Sequence, residues 1–185
     1  MADSLHLERD GGTATLVINR PDKRNAITDA MWERIPTLAA EVDTDPSVKV
    51  LVTRGSIPEA FCAGADIQEY RERVGDPEWG ERSRITVGAA LDAIRHMGKP
   101  TIAAIRGVCV GGGVGIALGC DLRVADTTAS FSIPRARLGL VYPFADTGEL
   151  LVVRNWTGGR RTVREHAPGV SFLFTLGQSV RIETG

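Results

Sequence analysis

Two turns rich in glycine and alanine carry the residues best suited to chemistry. The first is Gly111-Gly112-Gly113-Val114-Gly115, just ahead of the small apolar stretch Ile116-Ala117-Leu118-Gly119. The second is Phe61-Cys62-Ala63-Gly64-Ala65-Asp66-Ile67. A turn that opens a helix presents backbone N–H groups with no intrahelical partner, and the helix dipole adds positive potential there. Glycine lets a ligand approach that backbone closely. Taken alone, the glycine run serves close packing of a helix on a strand equally well. Two such turns, each following a strand, could aim two amides at one carbonyl oxygen, which is the geometry of an oxyanion hole.

Other constellations fail on spacing. The glycine run lacks the last glycine of G-x-G-x-x-G, and no Lys-Ser/Thr follows Gly112 or Gly113 as a P-loop requires. There is no G-x-S-x-G elbow. His6, His96 and His166 are isolated and lack metal-ligand spacing, so each reads as solvated or structural, and no metal site is expected.

The elements that must position these turns read as α/β. Thr13–Ile18 is a β-branched run and predicts a strand, followed by a turn at Asn19-Arg20-Pro21-Asp22. Thr28 or Asp29 caps a helix with Met31, Ile35, Leu38 and Val42 on one face, and Pro36 should kink or split it. Val48–Thr53 is a second strand, and Arg54–Gly64 reads as a loop. Asp66 caps a short helix through Tyr70. Pro77–Gly80 reads as loop, with a helix starting near Ser83 and closed by Gly98. Thr101–Ile105, Asp121–Ala125 and Ala129–Ile133 complete the strands. This alternation predicts mostly parallel, buried strands.

Composition sets the frame. The chain has 185 residues, 43% of them apolar, which is ample for one globular core. A formal charge of −1 gives no general attraction for nucleic acid or an anionic membrane, and the arginines of the C-terminal part are too local and interrupted to change that. Cys62, Cys109 and Cys120 lack CxxC spacing and read as reduced thiols. The N-terminus has no signal-peptide core, and the uncharged run Gly107–Cys120 is too short to span a bilayer. A soluble cytoplasmic protein is expected.

The motifs in order resemble the crotonase superfamily, the enoyl-CoA hydratase/isomerase family. Asn19-Arg20-Pro21-Asp22-Lys23-Arg24-Asn25-Ala26-Ile27 is similar to its first signature and Phe61–Ile67 to its second. Lys99–Gly107, the triple glycine from Gly111, and Gly119–Ala125 are similar to the third, and Phe131-Ser132-Ile133-Pro134 with Leu138-Gly139 continues the pattern. The resemblance implies a spiral of ββα units over residues 1–148 and an acyl-CoA thioester ligand, with no cofactor beyond its CoA moiety. It places the oxyanion-hole amides at Ala65 and Gly112. It places Lys23 and Arg24 near the CoA phosphates and adenine. Ala26, Ala63, Asp66 and Ile67 then line the adenine and pantetheine path.

The sequence also departs from that pattern. The two glutamates that serve hydratases as acid and base fall at Gly115 and Arg135, neither of which shuttles a proton at neutral pH. Tyr142 and Asp146 are the substitute acid/base candidates; a packed aromatic and a helix N-cap are the plainer readings. Glu69 reads as solvent-facing. Residues 149–185 are atypical: Glu149–Val170 has no clear period and reads as disordered or truncated, whereas Leu173–Val180 again resembles the family. The family's C-terminal helices therefore read as missing or aberrant, which bears on the homotrimer or hexamer the resemblance implies. An enzyme acting on a thioester enolate, by hydration, isomerisation or decarboxylation, is the expectation; a non-catalytic acyl-CoA binder is the alternative.

Overall fold

The computed structural model describes residues 3–132, 173–176 and 181–183. Strand β1 (Leu5–Asp10) and β2 (Thr13–Ile18) form an antiparallel hairpin over Gly11-Gly12. Every later pairing is parallel. The strands are β3 (Val50–Gly55), β4 (Ala60–Cys62), β5 (Thr101–Ile105), β6 (Val108–Val110), β7 (Leu122–Asp126), β8 (Ser130–Ser132), β9 (Leu173–Leu176) and β10 (Arg181–Glu183).

From β3 onward the strands alternate between two sheets. Odd-numbered strands extend a six-stranded sheet of order β1-β2-β3-β5-β7-β9, and even-numbered ones build a four-stranded sheet of order β10-β8-β6-β4. Helices α2 (Ile67–Arg73) and α3 (Pro77–Arg95) follow β4, and α4 (Gly112–Gly119) follows β6. Each of the pairs β3/β4 and β5/β6 thus contributes one strand to each sheet and is followed by helix, the expected spiral of ββα units. β9 continues the large sheet beside β7, pairing Arg123 with Leu173 through Asp126 with Leu176.

Helix α1 (Asp29–Thr44) starts at Thr28, whose side chain accepts from the Met31 N–H. It runs unbroken through Pro36, so the expected split does not occur. A continuous buried face, Met31, Trp32, Ile35, Ala39 and Val42, packs both halves against the core. That packing outweighs one missing hydrogen bond.

Three expectations need correction. Pro77–Gly80 is helix, not loop: the Asp76 carboxylate accepts from the Glu78 and Trp79 N–H groups at 2.9 and 3.2 Å, and Pro77 occupies the first turn, where its missing N–H does no harm. The Arg54–Gly64 stretch contains the end of β3 and all of β4, a strand of three buried residues too short to show a period. The helix after the glycine run begins at Gly112 rather than Ile116, because tertiary packing overrides the poor helix propensity of glycine. Among the described residues no helix is long and apolar enough to cross a membrane.

Candidate functional site

The basic turn is built on a buried asparagine. Pro21–Lys23 forms one 3-10 turn, after which Arg24 and Asn25 adopt positive φ of 48° and 57°. Asn25 is fully buried. Its Oδ1 accepts from the Arg20 N–H and from Ser56 Oγ, both at 3.0 Å, and its Nδ2 donates to the Ala60 carbonyl at 2.7 Å. Asparagine suits this place because it tolerates the left-handed region and satisfies its own amide. The result fixes the backbone while Lys23 and Arg24 stay exposed. Lys23 Nζ lies 3.4 Å from Gln68 Oε1 on α2.

This turn lies along the second motif. The Ala63 N–H donates to the Arg24 carbonyl at 3.0 Å. Arg20 spans the two segments, donating to the Ala26 carbonyl at 2.9 Å and pairing with Asp66 at 2.8 Å. Ala26 is buried, Ala63 half-buried, and Ile67 stands 53% exposed, a large apolar side chain left open beside the turn. Asp66 caps α2, accepting from the Gln68 and Glu69 N–H groups at 2.9 and 3.4 Å. Burial alone would raise its carboxyl, but the Arg20 hydrogen bond and the two amides outweigh that and hold it below the usual carboxylate range. Its charge is therefore committed within the protein.

The two amide-bearing turns meet. Ile27 pairs with Ala65 in an isolated parallel bridge. Gly64 has φ +92°, and a methyl group there would stand 2.9 Å from the Val110 carbonyl and 3.4 Å from the Gly112 nitrogen. Only glycine meets both the backbone conformation and the close approach. From the other side, a methyl group on Gly112 would stand 3.8 Å from the Ala65 nitrogen. Gly113 rests against β4, where a methyl would come within 2.6 Å of the Cys62 carbonyl. The first hydrogen bond of α4 runs from the Gly115 N–H to the Gly111 carbonyl, so the Gly112 N–H precedes the ladder. Among the described residues neither the Ala65 nor the Gly112 N–H has a hydrogen-bond acceptor.

The proton-transfer candidates fare differently. Gly115 is buried within α4 and offers no titratable side chain. Tyr142, Asp146 and Arg135 lie outside the described residues, as does Glu149–Val170. Glu69 is not solvent-facing: its Oε2 accepts from the Asp29 N–H at 2.9 Å, and the Asp29 carboxylate in turn accepts from Trp79 Nε1 at 2.6 Å. The three cysteines are free and buried. His6 and His96 each pair a ring nitrogen with a nearby backbone carbonyl at the surface.

Sequence reasoning missed Arg20, Asn25 and Trp32 as parts of the site. The buried Asn25 carried a signal in its type, since a polar residue in a turn before an apolar run must find partners. Trp32 falls outside the Met31, Ile35, Leu38 and Val42 face assigned to that helix, and nothing in its spacing points to the glycine run.

The sequence model of the enoyl-CoA hydratase/isomerase family matches residues 8–162. The chain belongs to the enoyl-CoA hydratase/isomerase family. Within that family it is 33% identical over 148 residues to the short-chain-enoyl-CoA hydratase of Clostridium acetobutylicum, and 34% identical over 158 residues to the mevalonyl-coenzyme A hydratase SidH of Aspergillus fumigatus. These alignments cover 80% and 85% of the chain. The crystal structure of an enoyl-CoA hydratase/isomerase family protein from Hyphomonas neptunium superposes with a TM-score of 0.77 at 42% identity, over 80% of the chain. The chain spans 56% of the length of each of these three proteins.

Proposed function

We propose that this chain binds an acyl-CoA thioester and stabilises its enolate between the Ala65 and Gly112 N–H groups. The observation that carries the reading is the meeting of the two turns, each with an amide that lacks an acceptor among the described residues. A thioester oxygen at that junction gains charge as its α-proton leaves, and two fixed donors stabilise the enolate more than the neutral ester. Lys23 and Arg24 would meet the CoA phosphates, a role supported by their exposure on the turn beside the second motif. Ala26, Ala63 and Ile67 supply apolar surface for the adenine and pantetheine path; Asp66 contributes by capping α2 rather than by offering a free carboxylate. The binding chemistry needs no metal or redox cofactor.

The reaction beyond the enolate depends on which group moves the proton. Glycine at 115 and arginine at 135 supply no acid/base pair, so two-glutamate hydration does not fit. Isomerisation or decarboxylation, with Tyr142 or Asp146 as the proton-handling group, fits better. Gly115 and Arg135 favour, as a second reading, an acyl-CoA binder without turnover. A titration with acetoacetyl-CoA, followed by assays with crotonyl-CoA, a 3-enoyl-CoA and a malonyl-type CoA ester, separates these. Binding with turnover of one ester identifies the reaction, binding without turnover supports the second reading, and no binding overturns both.

A further inference from the structure

Gly112 is a glycine for a reason its backbone does not explain. Its φ is not among the positive values, so alanine would be conformationally ordinary there. What forbids a side chain is Trp32. A methyl group on Gly112 would stand 2.8 Å from Trp32 Cζ2 and 3.4 Å from Cη2, with the Ala65 nitrogen next at 3.8 Å. The benzo edge of the indole, the Gly112 Cα and the Ala65 amide therefore surround one point. Trp32 is 3% exposed and anchored on α1 between the buried Met31 and Ile35. The ring cannot retreat without opening the core.

We propose that Trp32 is a positioning residue for the amide pair, an inference that rests on the acyl-CoA reading above. The indole edge acts as a rigid stop on the side of Gly112 that faces the Ala65 turn. It sets how far α4 can advance toward that turn and so fixes the spacing of the two donors. It also lines the gap beside them with apolar surface, which limits the water that competes for the amides and strengthens their hydrogen bonds to a developing anion. A shorter side chain at position 32 lets α4 settle inward or lets water in, and in either case the donors no longer converge on one oxygen. Binding of the CoA moiety, made on the Lys23–Arg24 side, does not depend on the indole.

The test uses acetoacetyl-CoA, whose bound enolate has its own ultraviolet absorption band, with affinity measured separately by calorimetry. In Trp32→Leu the enolate band per bound ligand falls about tenfold, short of the hundred- to thousand-fold cost of removing a donor outright, while the dissociation constant for CoA itself stays within about twofold, as expected for a site that does not touch the indole. Gly112→Ala retains its N–H yet must displace the ring or the amide, so it lowers the band as well. The double variant Trp32→Leu/Gly112→Ala recovers part of the signal lost in Gly112→Ala, the non-additivity expected of two groups in contact; what separates positioning from simple loss of packing is an enolate band that falls while the dissociation constant for CoA holds. Should Trp32→Leu fail to fold, Gly112→Ala with Trp32→Met, and each alone, supplies the same cycle. An enolate band unchanged in the single variants, or strictly additive losses in the cycle, overturns the role of Trp32 and leaves the acyl-CoA reading intact. Absence of acetoacetyl-CoA binding by the unmodified protein overturns that reading, and the role of Trp32 falls with it.

Discussion

Ile27 holds Ala65 from one side only. The Ile27 N–H donates to the Gly64 carbonyl at 2.8 Å, and the Asp66 N–H donates to the Ile27 carbonyl at 2.9 Å. In a parallel bridge of this kind the residue opposite directs its own N–H away from the partner strand. The first sequence motif thus locks the flanks of the second and leaves the one amide between them unspent. Ala65→Pro replaces that hydrogen with a ring Cδ at an exposed position, so it removes the donor and crowds the place an oxygen would take. Turnover of the productive ester should fall by at least about a hundredfold, the lower end of the loss for one oxyanion donor. Steady-state kinetics beside a melting curve checks this, since an unchanged Tm separates loss of the donor from loss of the fold.

Lys23 and Arg24 stand exposed on a turn that Asn25 fixes from within. Removing both charges in a Lys23→Ala/Arg24→Ala variant should weaken CoA binding by about tenfold, with little effect on thermal stability. Calorimetry at two salt concentrations is the check: the unmodified protein should lose affinity as salt rises, and the variant should be nearly indifferent.

Asp66 links the site to acid stability. Its carboxyl is depressed in the folded state, so the stabilisation it brings is fully present above the unfolded value of about 3.9 and is lost as pH falls through the lower folded value. Asp66→Asn keeps a capping oxygen but not the charge facing Arg20. The difference in Tm between the unmodified protein and this variant should be steady near about pH 6 and shrink as pH falls below the unfolded value of about 3.9. Asp66→Ala loses the cap too, at a further cost of about 1 kcal/mol.

The cysteines should be silent in the folded protein. Burial pushes the Cys62 and Cys120 thiols up to about 12 and Cys109 well above its ordinary value. A thiol-disulfide reagent at about pH 8 should titrate none of them in native protein, and all of them once denaturant is added, because only an accessible thiolate reacts. Fast reaction of any thiol under native conditions would contradict the packing around β4, β6 and the end of α4.

The central parallel strands and the caps at Thr28 and Asp66 were readable because β-branched runs and capping side chains act locally. What escaped notice depends on contacts made at a distance. β1 was hidden because only its first residue is fully buried and its last three face solvent at the sheet edge. β4 and β6 have three residues each, too few for a period, and take their strand character from neighbours. The helical first turn of α3 was masked by a proline that reads as a breaker except at a helix start. In the site, the paired turns were visible as motifs, yet Arg20 bridging Ala26 to Asp66 and Trp32 lying against Gly112 depend on tertiary proximity. Spacing along the chain does not encode that proximity.

The central claim concerns two backbone hydrogens, and amide spectra of isotopically labelled protein observe them directly. On titration with acetoacetyl-CoA, the Ala65 and Gly112 N–H resonances should move downfield together and saturate with one dissociation constant. CoA without an acyl group should shift the neighbourhood of Lys23 and Arg24 and leave those two amides in place. If both amides stay put while acetoacetyl-CoA saturates the protein, the thioester oxygen is held elsewhere and the account is wrong.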